Sequence, residues 1–308
     1  MNAFLEALES VLSIFVLIVI GYLLQQKGKI TDKIGSFISF FVVNITLPCS
    51  VYKTLTTSLS MEDIAEIPMY IILIMVSQLL SIAGGWCLAN LFGVDKEISG
   101  SFITLTAFNN TIFMGLPVNI ALFGESSSPI VLYYYLASTI LFWTLGVRII
   151  AGNNKTGKFN IPKTIYAMVI AAVVITVTIF RPNFTMPVFV VSTVNNLASM
   201  TTPLSMIFTG VVLGNFGIKN IRFDKNVGLG LIARVVVSPL IFIVIIISMP
   251  VSELAKNVFI VQAFMPVMAS QTIIARQYGV NDEYPAVMVT VSTLISLLVI
   301  PFVKVLLI

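Results

Sequence analysis

The chain contains no histidine, only two cysteines, and charge on only 10% of its 308 residues. Soluble domains are about 25% charged, so this shortage, set beside 58% apolar residues, excludes an ordinary water-soluble fold. The lack of histidine removes the usual imidazole base, the two-histidine metal triad and the histidine proton relay. Cys49 and Cys87 stand singly inside apolar runs; they match no zinc or disulfide framework and read as small buried hydrophobes. No metal site and no cofactor are expected. A formal charge of +4 would ordinarily raise nucleic acid as a partner. Here the basic residues sit in short connections between apolar runs, which a lipid bilayer explains better.

What is present is a succession of apolar runs of about 20 residues, the length at which a helix rising 1.5 Å per residue crosses a hydrocarbon core of about 30 Å. Ten spans are predicted, at 7–25, 35–52, 67–92, 100–123, 130–150, 164–180, 193–214, 227–248, 255–276 and 285–307. The connections are too short to fold separately, so one integral membrane domain is expected. Glu6 and Glu9, not Lys or Arg, lead into the first span, the reverse of a secretion signal, and that span is expected to be retained.

Lys27, Lys29 and Lys33 follow the first span and place its loop in the cytoplasm. Alternating sides from there puts Lys27, Lys29, Lys33, Lys96, Arg148, Lys155, Lys158, Lys163, Lys219, Arg222, Lys225 and Arg276 inside, against Lys53, Arg181, Lys256 and Lys304 outside. A missed span near the middle would put basic loops on both sides. The bias therefore predicts a multi-pass protein of the cell (plasma) membrane with ten spans and both termini extracytoplasmic.

Ten spans divide into two fives, and an odd number per half means that the second half enters the membrane inverted, the plan of many secondary carriers. The expected units are 1–152 and 153–308. Two internal matches support them. Span 4 reads Ala107, Phe108, Asn109, Asn110 and ends in Phe123, Gly124; span 9 reads Ala263, Phe264, Met265, Pro266 and ends in Tyr278, Gly279. In spans 2 and 7, Asn44 precedes Pro48 as Ser199 precedes Pro203, each by four residues.

Span 4 is the most unusual stretch, with Asn109, Asn110 and Thr111 ahead of Gly115 and Pro117. Proline removes a donor and clashes with the preceding turn, and backbone groups freed at membrane depth must face a protein cavity rather than lipid. Asparagine amides offer a ligand both donors and acceptors. Span 9 answers with Gln262, Pro266, Ser270 and Gln271, and four-residue spacing puts Gln262, Pro266 and Ser270 on one face of a helix. Two broken helices at matching positions point to a midplane binding site. Helix breaks are expected at Gly115, Pro117 and Pro266, with Asn109, Asn110, Thr111, Gln262, Ser270 and Gln271 as substrate ligands. Asn44, Pro48 and Asn196 form a secondary polar region.

All thirteen acidic residues fall in termini, loops or first turns of spans, which argues against a proton relay through a buried acid. Arg234, about 10 Å into span 8 at 1.5 Å per residue, either snorkels or braces carbonyls, or lends a positive field to the inner mouth that attracts an anion.

At Asn110, Thr111, Gly115 and Pro117 the chain resembles the auxin efflux carrier family, which includes the plant PIN-type auxin carriers and bacterial malate and malonate permeases. Pro266, the ending Ala275, Arg276, Gln277, Tyr278, and Arg234 followed by Pro239 also fit. The resemblance implies an all-α membrane fold of ten helices in two inverted five-helix repeats. It implies a scaffold domain working against a transport domain in which broken fourth and ninth helices cross, and an anion carboxylate that meets helix ends and an asparagine there. The chain departs from the plant carriers in having Gln271 where they have a second proline, little beyond Gln78 in the third helix where they carry charges, and only about 153–162 in place of a long central loop.

The expected function is therefore a secondary transporter, an efflux carrier or permease, moving a small organic anion by alternating access. A mono- or dicarboxylate fits better than auxin. A ligand-gated channel or a membrane sensor on a carrier fold is the alternative. An enzyme is not expected, because nothing at mid-depth would activate a hydroxyl. Sodium coupling and a homodimer stay open, since exposed carbonyls at the breaks can hold an ion and small-residue faces such as Gly84 and Gly85 serve contacts of either kind.

Overall fold

The computed structural model describes residues 2–58, 61–152, 186–216 and 223–307, with isolated positions at 169, 173, 176 and 177. Apart from those isolated positions, the predicted span at 164–180 lies outside the described residues, as do Lys155, Lys158, Lys163, Arg181, Lys219 and Arg222. Every element of the described part is helical apart from one isolated bridge between Asn109 and Val267. Span 1 is Asn2–Gln26, span 2 runs from Asp32 to Ser58, and span 3 is Met61–Phe92. Span 4 is split into Lys96–Ala107 and a distal half from Thr111 to Phe123. Span 5 runs from Ser128 to Ala151, span 7 from Val188 to Phe216, and span 8 from Lys225 to Ile247. Span 9 is split into Glu253–Ala263 and Ser270–Gln277, and span 10 is Glu283–Leu307.

Six described helices are long and apolar enough to cross a membrane: those of spans 2, 3, 5, 7, 8 and 10. Spans 4 and 9 fall short because each is interrupted. Outward-facing side chains are apolar along whole helices: Val16, Val19 and Leu23 on span 1, Ile72, Trp86 and Leu91 on span 3, Leu240, Val244 and Ile247 on span 8. A water-soluble surface does not carry such continuous apolar area, so the protein is a membrane protein. Cys87 belongs to this outer surface, which corrects the expectation that it is buried.

Span 5 is the inner pillar. Its apolar window is 72% buried, against 33% in spans 2 and 3. Its Tyr133 and Tyr134 pack with Tyr70, Phe242 and Phe259 of spans 3, 8 and 9 in one aromatic cluster. Span 1 lies along span 7 and also touches span 10, while span 2 packs along both parts of span 7. The span 1 to span 7 contact is backbone on backbone: a Cβ on Gly21 would lie 2.1 Å from the Ile207 carbonyl oxygen, and one on Gly210 would lie 2.0 Å from that of Ile18. Small residues drive helix association where lipid removes the hydrophobic drive. Gly84 and Gly85 are likewise used within the chain, against Ile241 and Thr106.

Five-residue π turns interrupt four spans, at Val42–Thr46, Thr111–Gly115, Phe142–Gly146 and Ala233–Val237. Three of them end two residues before a proline: Pro48, Pro117 and Pro239. Proline clashes with the carbonyl four residues earlier, which in each case is the middle of the π turn, where the wider ring of atoms makes room. These prolines therefore sit inside continuous helix. This corrects the expectation of breaks at Gly115 and Pro117, both of which lie in the unbroken run from Thr111 to Phe123.

Candidate functional site

The break in span 4 lies upstream of Pro117, at 108–110. Ala107 ends the proximal half-helix, Phe108 is extended with φ −102° and ψ 119°, and Asn110 has φ −82° and ψ 70°. In span 9 the proximal half-helix ends at Ala263 and the next begins at Ser270, with Pro266 in the non-helical stretch between. The two stretches cross as a minimal antiparallel pair: Asn110 N–H donates to Pro266 C=O at 2.8 Å and Met268 N–H to Phe108 C=O at 3.3 Å. Because span 9 is not helical across 264–269, the four-residue spacing does not put Gln262 and Ser270 on one face, as continuous helix would have done.

Backbone groups freed here have no water to turn to, and side chains take many of them. Asn109 Nδ2 donates to the Gln262 carbonyl and to Tyr134 Oη at 3.1 Å, while its Oδ1 accepts from Thr111 Oγ1 at 2.7 Å. Val267 N–H donates to Ser292 Oγ of span 10 at 3.0 Å. Thr104 Oγ1 donates to Gln271 Oε1 at 3.1 Å across the two spans. Arg234 donates to Thr106, Ala263 and Met265 carbonyls, so it points into the crossing and does not snorkel.

Beside the crossing is a cavity of about 80 Å³ lined by Asn109, Asn110, Thr111 and Ser270, with Tyr135, Thr139, Phe142 and Trp143 of span 5 and Val43 and Leu47 of span 2. The distal halves of spans 4 and 9 both start at this cavity, so their N-termini, each worth about half a positive charge, converge on it. Ala269 lines both this cavity and a larger one of about 590 Å³ between spans 1, 2, 7 and 9. The larger cavity is walled by Gln25, Asp32, Ser36, Asn215, Thr272 and Arg276, residues at the end of the molecule that carries Lys27, Lys29 and Lys225.

The residues predicted from sequence thus divide. Asn110, Thr111 and Ser270 face the cavity, and Asn109 is largely taken up in holding the crossing. Gln262 and Gln271 are fully buried at the crossing; both amide atoms of Gln262, and Nε2 of Gln271, find no hydrogen-bond partner among the described residues. A Cβ on Gly115 would lie 2.5 Å from Gln262 Oε1, so the glycine admits this glutamine. Pro48 is buried in span 2. Asn44 donates to the Phe40 carbonyl of its own helix at 2.7 Å, and Asn196 is exposed on span 7; neither lines the cavity. Sequence reading missed Thr104, Tyr134 and Ser292, which hold the crossing from its sides. Each is a polar group in an apolar span, the one signal that could have marked it.

A polytopic helical protein with two interrupted helices crossing beside a cavity that presents Asn110, Thr111 and Ser270 within an otherwise largely apolar lining belongs to the class of membrane transporters. The family model described as "Membrane transport protein" matches residues 6–164 and 158–304, and the chain belongs to this family, that of the auxin efflux carriers. It is 25% identical over 302 residues to an uncharacterized transporter of Methanocaldococcus jannaschii, covering 95% of this chain and 96% of that protein. It is 23% identical over 299 residues to an uncharacterized transporter of Methanothermobacter thermautotrophicus, covering 97% of each.

Proposed function

We propose that the protein is a secondary carrier of a small organic anion, built as ten spans in two inverted five-helix repeats, 1–152 and 153–308, with both termini outside the cell. The observation that carries this reading is the convergence of two half-helix N-termini on a cavity lined by Asn110, Thr111 and Ser270. Helix N-termini with free amides are anion sites, and two opposed ones stabilise a carboxylate without a charged side chain. A mono- or dicarboxylate fits this chemistry. The larger cavity reached through Ala269 is its route from the cytoplasmic side, and alternating access closes that route while opening another. Spans 1, 2 and 7 serve as the scaffold, and spans 3, 4, 5, 8, 9 and 10 carry the crossing.

The test is thermal-shift screening of the purified protein against mono- and dicarboxylates, since a ligand that binds the folded state raises its melting temperature by mass action. A carboxylate that shifts wild type should then show saturable counterflow in proteoliposomes. Absence of a shift with every carboxylate, or a shift without counterflow, would remove the carrier reading for this substrate class.

A further inference from the structure

Arg234 is the only charged side chain among the described buried residues, with 2% of its surface exposed. Its guanidinium donates from Nε to Met265 C=O at 3.0 Å, from Nη2 to Ala263 C=O at 2.7 Å, and from Nη1 to Thr106 C=O at 3.1 Å and Ser238 Oγ at 3.4 Å. Three of these four acceptors are backbone carbonyls at the two helix breaks. Thr106 lies in the last turn of the proximal half of span 4, Ala263 closes that of span 9, and Met265 follows in the non-helical stretch. Carbonyls at a helix C-terminus lose their intrahelical donors. Each such terminus also carries about half a negative charge, so the two together present about one.

Among the described residues no carboxylate pairs with this arginine; the ion pairs found there are Lys53 with Glu125 and Arg276 with Asp282. Its counter-charge is the broken backbone itself. Carbonyl oxygens of unwound helices, with half-helix C-termini behind them, are the donor set with which carriers hold an alkali cation. Here that place is taken by a side chain. The π turn Ala233–Val237 contains Arg234, and insertions of this kind re-aim side chains at functional sites.

We propose that Arg234 is a tethered cation, permanently filling the carbonyl site that a coupling ion would otherwise occupy, so that anion binding on the N-terminal side of the crossing needs neither sodium nor potassium. The anion half of this statement rests on the function proposed above. The cation half does not. A mere hydrogen-bonding brace would need the donors and not the charge, and lysine and glutamine substitutions separate the two: Arg234→Lys keeps charge and three donors, Arg234→Gln keeps an amide donor without charge.

The experiment measures melting temperatures of the purified full chain, wild type, Arg234→Lys and Arg234→Gln, titrated with sodium, potassium or methylguanidinium chloride against choline chloride at equal ionic strength. Wild type and Arg234→Lys should respond to no cation beyond the choline control. Arg234→Gln should melt lower and recover by a few degrees, saturably, with methylguanidinium or an alkali ion, as ligation of the folded state requires. If Arg234→Gln melts as wild type does, or responds to no cation more than to choline, the arginine is only a brace and the proposal fails. It fails also if a carboxylate shifts wild type only when sodium is present. Should Arg234→Gln not fold, Arg234→Lys decides: retention of the wild-type carboxylate shift in choline alone supports the tethered cation, and its loss overturns it. A wild type that responds to no carboxylate would sink the transport reading and leave the cation titration intact.

Discussion

Spans 4 and 9 are interrupted at the same crossing by different local chemistry. In span 9 the non-helical stretch contains Pro266, whose ring removes a donor and whose carbonyl accepts from Asn110 N–H. In span 4 the stretch 108–110 contains no proline, and Pro117 lies downstream in helix behind a π turn. There the interruption is held by Asn109, whose side chain reaches the Gln262 carbonyl, Tyr134 and Thr111. A break in a buried helix is thus fixed by whatever supplies partners to the freed backbone groups, and proline is only one contributor.

The two adjacent asparagines of span 4 therefore have different roles, Asn109 holding the break and Asn110 facing the cavity. Asn109→Ala removes three hydrogen bonds at a site sealed from water, and each buried group left unpaired costs about 1–3 kcal/mol. The expected loss is about 3 kcal/mol, read in detergent as a drop of about 6–12 °C at roughly 2–4 °C for each kcal/mol. A melting temperature within a degree of wild type would show that Asn109 does not hold the break.

Gly115→Ala tests the contact between the two spans from the other side. The added Cβ would meet the buried Gln262 amide at 2.5 and 2.6 Å, and overpacking of this kind costs about 1–3 kcal/mol. The cost should shrink in a Gln262→Ala background, because the clash then has no second party. Equal costs in both backgrounds would break the link between glycine and glutamine. Asn110→Ala should leave stability nearly unchanged and weaken the response to a carboxylate, by about 1 kcal/mol or more if a charge-assisted hydrogen bond is lost. Unchanged carboxylate affinity would move the site away from this cavity.

Span placement was legible in the sequence because bilayer thickness leaves little freedom. Each described helix of spans 2, 3, 5, 8 and 10 covers or closely tracks the run predicted for it. The place where the two interrupted spans cross was legible too, through Asn109, Asn110 and Pro266 in otherwise apolar spans. The local geometry of span 4 was not. Pro117 looked like the break because a proline is incompatible with an unmodified α-helix, and the remedy, a π turn ending at Gly115, leaves no composition signal. A better marker was present in the paired Ala107-Phe108 and Ala263-Phe264, since both proximal half-helices end on that alanine. The environment of Arg234 was beyond reach for a different reason: its partners Thr106, Ala263 and Met265 contribute backbone carbonyls, which every residue has.

The smallest expected effect separates the two prolines. Pro117 follows a π turn whose closing bond runs from Leu116 N–H to Thr111 C=O, and that turn already makes room for the proline ring, so alanine would relieve no clash and would restore only the one N–H that the ring removes. Pro117→Ala should shift stability by less than about 1 kcal/mol, mainly through the greater freedom of the unfolded chain, and should leave the carboxylate response as in wild type. Pro266 restricts Met265 to extended or nearby conformations, and the Met265 carbonyl accepts from Arg234 while that of Pro266 accepts from Asn110. Pro266→Ala relaxes both at once, so it should cost more than Pro117→Ala and blunt the carboxylate response as well. If Pro117→Ala proves the more damaging of the two, the proline of span 4 has a part in the break that the crossing of 108–110 with Pro266 does not account for.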